Sequence, residues 1–173
     1  VRVSMLLASA LLLLAGQQDP PPPLPLWQNR ADVRITARLD EATGTLRGNQ
    51  EVVYTNHRPD TLHAISFHLY LNAFRPASRW AEVDAAEERH RFDRLTDPDH
   101  GYNAVSSVYV NGEPVTAVYP FAPDSTIVRF PLPQPIMTGS QAVVQMDFVA
   151  RPSTVPRRQR RRGRTLAGVR LRH

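Results

Sequence analysis

Six histidines stand at positions 57, 63, 68, 90, 100 and 173. Two imidazoles one helical turn apart, in a His-Glu-x-x-His run, would hold zinc while the Glu acts on zinc-bound water. None of the six is followed by Glu. His63 and His68 lie five apart on a predicted strand, so they point to opposite faces and do not share a metal; ordinary sheet or edge histidines are the better reading. Asp97, Asp99 and Gly101 have part of the spacing of a calcium loop but lack the rest of its ligands, which favours a polar turn. Glu87 and Glu88 are adjacent and diverge on a helix, which makes them a solvated face rather than a paired acid and base. The sequence contains no Gly-x-Ser-x-Gly, no phosphate-cradling glycine loop and no dinucleotide fingerprint. With no cysteine, disulfides, thiolate zinc sites and cysteine nucleophiles are excluded. No catalytic residue, metal ligand or cofactor is therefore assigned to this chain.

The densest cluster of one chemistry is basic: Arg157, Arg158, Arg160, Arg161, Arg162 and Arg164, a candidate anion-binding tail. All 21 basic residues are Arg. Residues 151–173 contain nine Arg and no acid, whereas residues 1–150 carry 12 Arg and 16 acids. The net charge of +5 thus divides into −4 for the body and +9 for the tail, and the isoelectric point of 10.4 describes the tail. That weighs against a folded nucleic-acid-binding module with a basic face. The tail can be a solvated terminus, or it can bind phosphate groups of nucleic acid, anionic lipid or lipopolysaccharide; with an export signal, nucleic acid is disfavoured and an anionic envelope surface is the partner that remains.

The elements that would position any site begin after residue 26. Met5–Leu14 is a ten-residue run without charge that follows a lone Arg2. It is too short to span a membrane, which takes about 20 residues, and has the length of the apolar core of an export signal. Residues 1–16 are read as that signal and 17–26 as a stiff Pro-rich linker. This implies export to the periplasm or beyond. Residues 27–150 read as all-β, an antiparallel sandwich of about seven strands. Val33, Ile35, Ala37 and Leu39 alternate with polar residues, the period of a half-buried strand. A turn at 41–44, an extended run over 46–56 and a break at 56–60 follow. The next run, 62–71, places Ile65, Phe67, Leu69 and Leu71 on one face. Asn111-Gly112 between Val105–Val110 and Glu113–Tyr119 predicts a tight hairpin. Strands are further expected over 126–132 and 142–150, separated by a Pro-rich turn. Residues 76–103 form a polar, partly helical insertion, with a short helix over 80–95 and a turn at 97–101.

Several segments, in order, resemble one family. They are Val33–Asp40, Leu46-Arg-Gly48, Tyr54-Thr-Asn56, Arg58–Leu62, Phe67-His-Leu-Tyr-Leu-Asn-Ala-Phe74, Val108–Val115 and Pro152–Gln159. The pattern of a strand ending Leu-Asp, a turn, and Leu-x-Gly-x-x-x-hydrophobic-x-Tyr-x-Asn resembles the N-terminal β-sandwich domain of bacterial zinc metallopeptidases of the membrane alanyl aminopeptidase (gluzincin) family. The resemblance covers roughly residues 30–164. It implies an exported enzyme whose following domain binds Zn²⁺ through His-Glu-x-x-His and a distant Glu, and binds the peptide N-terminus on a Gly-x-Met-Glu-Asn strand. No position here matches those motifs, so none of the family's catalytic residues carries over.

The expected role is therefore structural: a non-catalytic domain that packs on a catalytic domain and helps wall its cleft, inactive on peptides alone. Thr165–His173 departs from the pattern, and residues 151–173 are read as an Arg-rich tail, truncated or frame-shifted in a GC-rich gene. The alternative is an autonomous secreted sandwich whose Arg tail docks on anionic envelope surfaces. A weaker third reading is a carbohydrate-binding sandwich with Trp27 and Trp80 as stacking residues.

Overall fold

The structure is a computed structural model and describes residues 28–90, 96–97, 99–153, 160–162 and 165–167. The proposed signal and linker, Trp27, and Arg157, Arg158 and Arg164 lie outside the described residues.

Among the described residues seven strands lie between residues 30 and 151: β1 (Arg30–Asp40), β2 (Thr45–Thr55), β3 (Leu62–His68), β4 (Tyr102–Val110), β5 (Glu113–Pro114), β6 (Ile127–Ile136) and β7 (Gln141–Arg151). Five form one antiparallel sheet in the order β1-β2-β7-β4-β5; β3 and β6 form a second. The all-β sandwich expected from the alternation is what the chain forms. A further short pair, β8 (Arg160–Arg162) and β9 (Thr165–Ala167), lies in the Arg-rich segment.

The core lies between the sheets. The large sheet contributes Val52, Ala142, Val144, Met146, Val108 and Val110; the small sheet contributes Ile65, Val128, Phe130 and Ile136. Phe67 packs on Phe130 with ring centroids 5.3 Å apart, a tilted arrangement. Strict period-2 alternation would place either Val105 or Val108 away from the core. A bulge resolves this: Ser106 pairs with Asp147 but Tyr109 with Gln145, and Ser107 takes φ 49°. The extra residue resets the side-chain parity, so Val105 and Val108 both face inward.

Local turn chemistry matches its residues. Asn111 (φ 52°) and Gly112 (φ 84°) both take the positive φ of the tight hairpin turn. The Asn111 side chain also accepts from Val143 N at 2.8 Å, tying the turn to β7. Glu41–Gly44 is a turn in which Asp40 accepts from Ala42 N and from Thr43 N and Oγ1.

Five local expectations change. The third run stops as a strand at His68, and a 3-10 turn over Tyr70–Phe74 follows. It turns there because Asn72, a poor strand former, binds three backbone groups of other segments. The helix is shorter than 80–95: α1 spans Arg79–Ala86, started by Ser78, whose Oγ accepts from Ala81 N at 3.1 Å. The second hairpin arm is two residues rather than seven, since the chain then leaves the large sheet and Val118 bridges Arg129 of the small one. β6 runs on through Pro131, Pro133 and Pro135. From Ala64 to Leu62 its partner advances two residues while β6 advances five, from Pro131 to Ile136, so the prolines sit where pairing is already irregular. Finally, every residue of β1 is exposed, where half were expected to be buried.

Two asparagines of the motif segments are buried connectors. Asn56 donates from Nδ2 to Asp60 O (2.8 Å) and Ile136 O (3.1 Å) and accepts from Arg58 N (3.0 Å). Asn72 donates to Asn103 O and Ser125 O and accepts from Asn103 N at 2.7 Å. Gly48 has a steric role. A Cβ there would fall on Thr36 O and within 2.9 Å of Ala37 Cα on β1. Asn56→Ala strands a buried carbonyl and two further polar groups. It is expected to destabilise the fold by about 3 kcal/mol, measured by urea unfolding at constant m.

Candidate functional site

Residues directly opposite in an antiparallel ladder share a face, so the inner surface of the large sheet can be read in rows. One row is Val33, Val52, Val144 and Val110; the next is Ile35, Gln50 and Met146. Then come Ala37, Gly48, Phe148 and Val105, and Leu39, Leu46, Ala150 and Asn103. In the first row Val52, Val144 and Val110 are at most 3% exposed, yet Val33 is 53% exposed. Ile35 and Leu39 are exposed by 55% and 40%. The two-stranded sheet is too narrow to cover five strands, so the inner face of β1 and the far end of β2 and β7 are left open.

Where the cover ends there is a groove of about 320 Å³, walled by Ile35, Leu46, Leu69, Met146, Phe148 and Ala150, among others. Its polar groups are few. His68 stacks on exposed Tyr70 with centroids 5.1 Å apart, and Asn103 Oδ1 is buried without a hydrogen-bond partner. Covering Val33, Ile35 and Leu39, each about half exposed, would be worth about 1 kcal/mol apiece. Such a surface can bind an apolar partner face.

The residues considered for chemistry have other duties. His63 and His68 are both exposed on β3. Asp97 is held in a two-pronged ion pair by Arg75, with both N–H···O contacts at 2.7 Å. Those hydrogen bonds and the Arg75 charge hold the Asp97 carboxyl below the usual carboxylate range, outweighing its small desolvation; His100, with Nδ1 3.7 Å away, adds to the effect. Gly101 (φ 72°) is needed because a Cβ would come within 2.5 Å of Ser153 N, and Ser153 Oγ donates to Asp99 O. The polar turn is thus a clamp joining the 3-10 turn to the end of β7. Glu87 pairs with Arg89 at the end of α1, and Trp80 is half exposed on that helix. Among the described residues, no group of three His, Asp or Glu side chains is placed to hold a metal ion. A second, shallower groove of about 270 Å³ lies on the polar outer face, where Glu51 accepts from Gln145 Nε2 at 3.0 Å and faces Arg34 at 3.8 Å. Of the candidate tail, Arg160, Arg161 and Arg162 form β8.

No protein-family profile matches this chain, and no curated protein matches it. Among solved structures it is similar to M1 zinc metallopeptidases. The enzyme from Deinococcus radiodurans is 17% identical over 66% of this chain and 19% of its own, with a TM-score of 0.40. Mutants of a two-domain M1 zinc metallopeptidase bound to L-arginine and to L-tryptophan are each 16% identical, with TM-scores of 0.44 and 0.42. They align over 77% and 71% of this chain and 24% and 20% of their own. The chain spans about a fifth of the length of these enzymes.

The clamp carries a pH dependence. A carboxyl whose folded pKa is lowered binds fewer protons than in the unfolded chain, so its contribution is complete above about pH 5, well above the unfolded value, and is lost as pH falls through the unfolded and then the folded value. Asp40, held by Thr43 and Ala42, shifts the same way. Thermal midpoints are expected to drop between about pH 5 and 3, and Asp97→Asn is expected to make that drop shallower.

Proposed function

We propose that this chain is a non-catalytic β-sandwich domain of an exported zinc metallopeptidase of the aminopeptidase family, and that its open inner face packs on the catalytic domain. The observation that carries this reading is β1. Its Val33, Ile35 and Leu39 have the alternation of a buried strand and lie in line with core residues, yet are exposed at the rim of an apolar groove. A surface of that composition is a partner face. The motif residues support the same reading, because Gly48, Asn56 and Asn72 all serve the fold rather than a reaction. What the resemblance preserves is a scaffold.

On this reading the zinc ion and its ligands belong to the partner domain, and peptide substrates meet this chain only where it borders their cleft. Residues 1–16 act as the export signal, supported by the uncharged run Met5–Leu14. Arg-rich residues 157–164 form part of the connection between domains.

Two measurements test the proposal. The purified chain, supplied with zinc, is expected to release no amino acid from peptide amides above background; turnover abolished by a chelator would overturn the non-catalytic assignment. A separately produced catalytic domain of an M1 zinc metallopeptidase is expected to co-elute with the chain. Combining Leu39→Asp and Leu46→Asp is expected to weaken that complex by at least about 10-fold. An unchanged complex would show that the inner face is not the docking face.

A further inference from the structure

The free edge of β1 carries information separate from its face. Among the described residues β1 is the outermost strand of the large sheet, eleven residues long and exposed throughout. On β2, Asn56 N bonds to Ser140 O, so the even-numbered residues of that strand turn their N–H groups toward β7 and the odd-numbered ones toward β1. Through the uninterrupted β1–β2 register, the even residues of β1 are then bonded to β2. The N–H and C=O groups of Ala31, Val33, Ile35, Ala37 and Leu39 face outward. Such an edge is a template for another strand.

The sequence of this edge is complementary to itself reversed. It reads Arg-Ala-Asp-Val-Arg-Ile-Thr-Ala-Arg-Leu-Asp from 30 to 40. Laid antiparallel on a second copy about Ile35, Arg30 faces Asp40, Asp32 faces Arg38, Val33 faces Ala37, and Ala31 faces Leu39. All eleven residues are paired. The outward-bonding odd residues meet one another, as hydrogen-bonded pairs require. The charged even residues meet at the intervening sites, where opposite side chains approach most closely. Shifting the centre to Thr36 sets Asp32 against Asp40 and Arg34 against Arg38. Shifting it to Arg34 sets Arg30 against Arg38 and Arg34 against itself. Centring on Val33 or Ala37 keeps only Asp32 against Arg34 or Arg34 against Asp40 and leaves part of the strand unpaired, so charge and paired length together favour the register centred on Ile35.

We propose that two copies of this chain associate edge to edge through β1, antiparallel and centred on Ile35, joining two five-stranded sheets into one of ten. The twofold axis runs perpendicular to the sheet through the Ile35 pair, which makes the contact closed and isologous. Because paired residues share a face, the two open apolar strips become one continuous strip. The exposed ion pair between Arg30 and Asp32 within β1, at 2.9 Å, exchanges for pairs across the axis.

Sedimentation equilibrium of the full chain is the test. A monomer–dimer equilibrium weakened by salt is expected. Asp32→Arg alone and Arg38→Asp alone each set like charges opposite twice across the axis, and each should weaken the dimer by at least about 10-fold. The two changes together recreate the opposite-charge pairs and should restore it; this recovery cannot arise from a loss of folding. The proposal is overturned by a chain that stays monomeric up to about 1 mM, by a dimer indifferent to both single changes, or by a double variant that does not recover. Since none of these outcomes involves the catalytic domain, failure here leaves the packing of the inner face untouched.

Discussion

Five strands face two. An apolar sheet face must be removed from water, and in this molecule the small sheet of β3 and β6 is wide enough for only part of its neighbour. Residues between the two sheets are sealed: Val110 and Val144 of the large sheet and Val128 and Phe130 of the small one have no exposed surface. Residues beyond it have the same side-chain types and the same alternation but lie open. The remaining features of the molecule follow from that mismatch, including the groove at the boundary and the exposure of an entire strand.

The narrow small sheet also explains where the buried polar groups sit. With few ladder bonds available, the segments that enter and leave β3 and β6 need other partners for their backbone groups. Asn56 supplies them at one end, linking the break after β2 to Ile136 at the end of β6. Asn72 supplies them at the other, joining the 3-10 turn to Asn103 and Ser125. Each amide contributes donors and an acceptor from one side chain, which a hydroxyl or an aliphatic residue cannot do. The Arg75–Asp97 pair and the Gly101–Ser153 approach extend the same bracing to the polar insertion.

Much of this was legible in the sequence. Alternation located β1, β2, β4 and β7, and the hairpin turn followed from Asn111-Gly112, since both residues tolerate positive φ. What stayed hidden depended on distant contacts. The expected seven-residue arm after Gly112 crosses to the other sheet after two residues because Val118 pairs with Arg129, a preference that no local period encodes. The bulge at Ser107 is visible only as a conflict between Val105 and Val108 once β7 is placed beside them. The open groove was the least legible feature. Alternation reports that Val33 and Ile35 need a cover, and it is silent on whether this part of the chain provides one.

That last gap is itself informative about function. Had the pattern of β1 been polar on both faces, its exposure would suit an ordinary edge strand. Its inner face is instead apolar at five alternate positions, Ala31 to Leu39, while its outer face alternates Arg and Asp around Thr36. Charged residues on an edge usually discourage pairing. Here their order discourages both neighbouring registers and gives most opposite-charge pairs in the one centred on Ile35, and the apolar strip lies at right angles to that edge, free for a different contact. One strand thus presents two separable surfaces, a face suited to an apolar partner domain and an edge suited to a second copy of itself. Within the groove Gln50, His68 and Asn103 are set among aliphatic and aromatic side chains, because the same alternation that builds the core continues past the end of its cover.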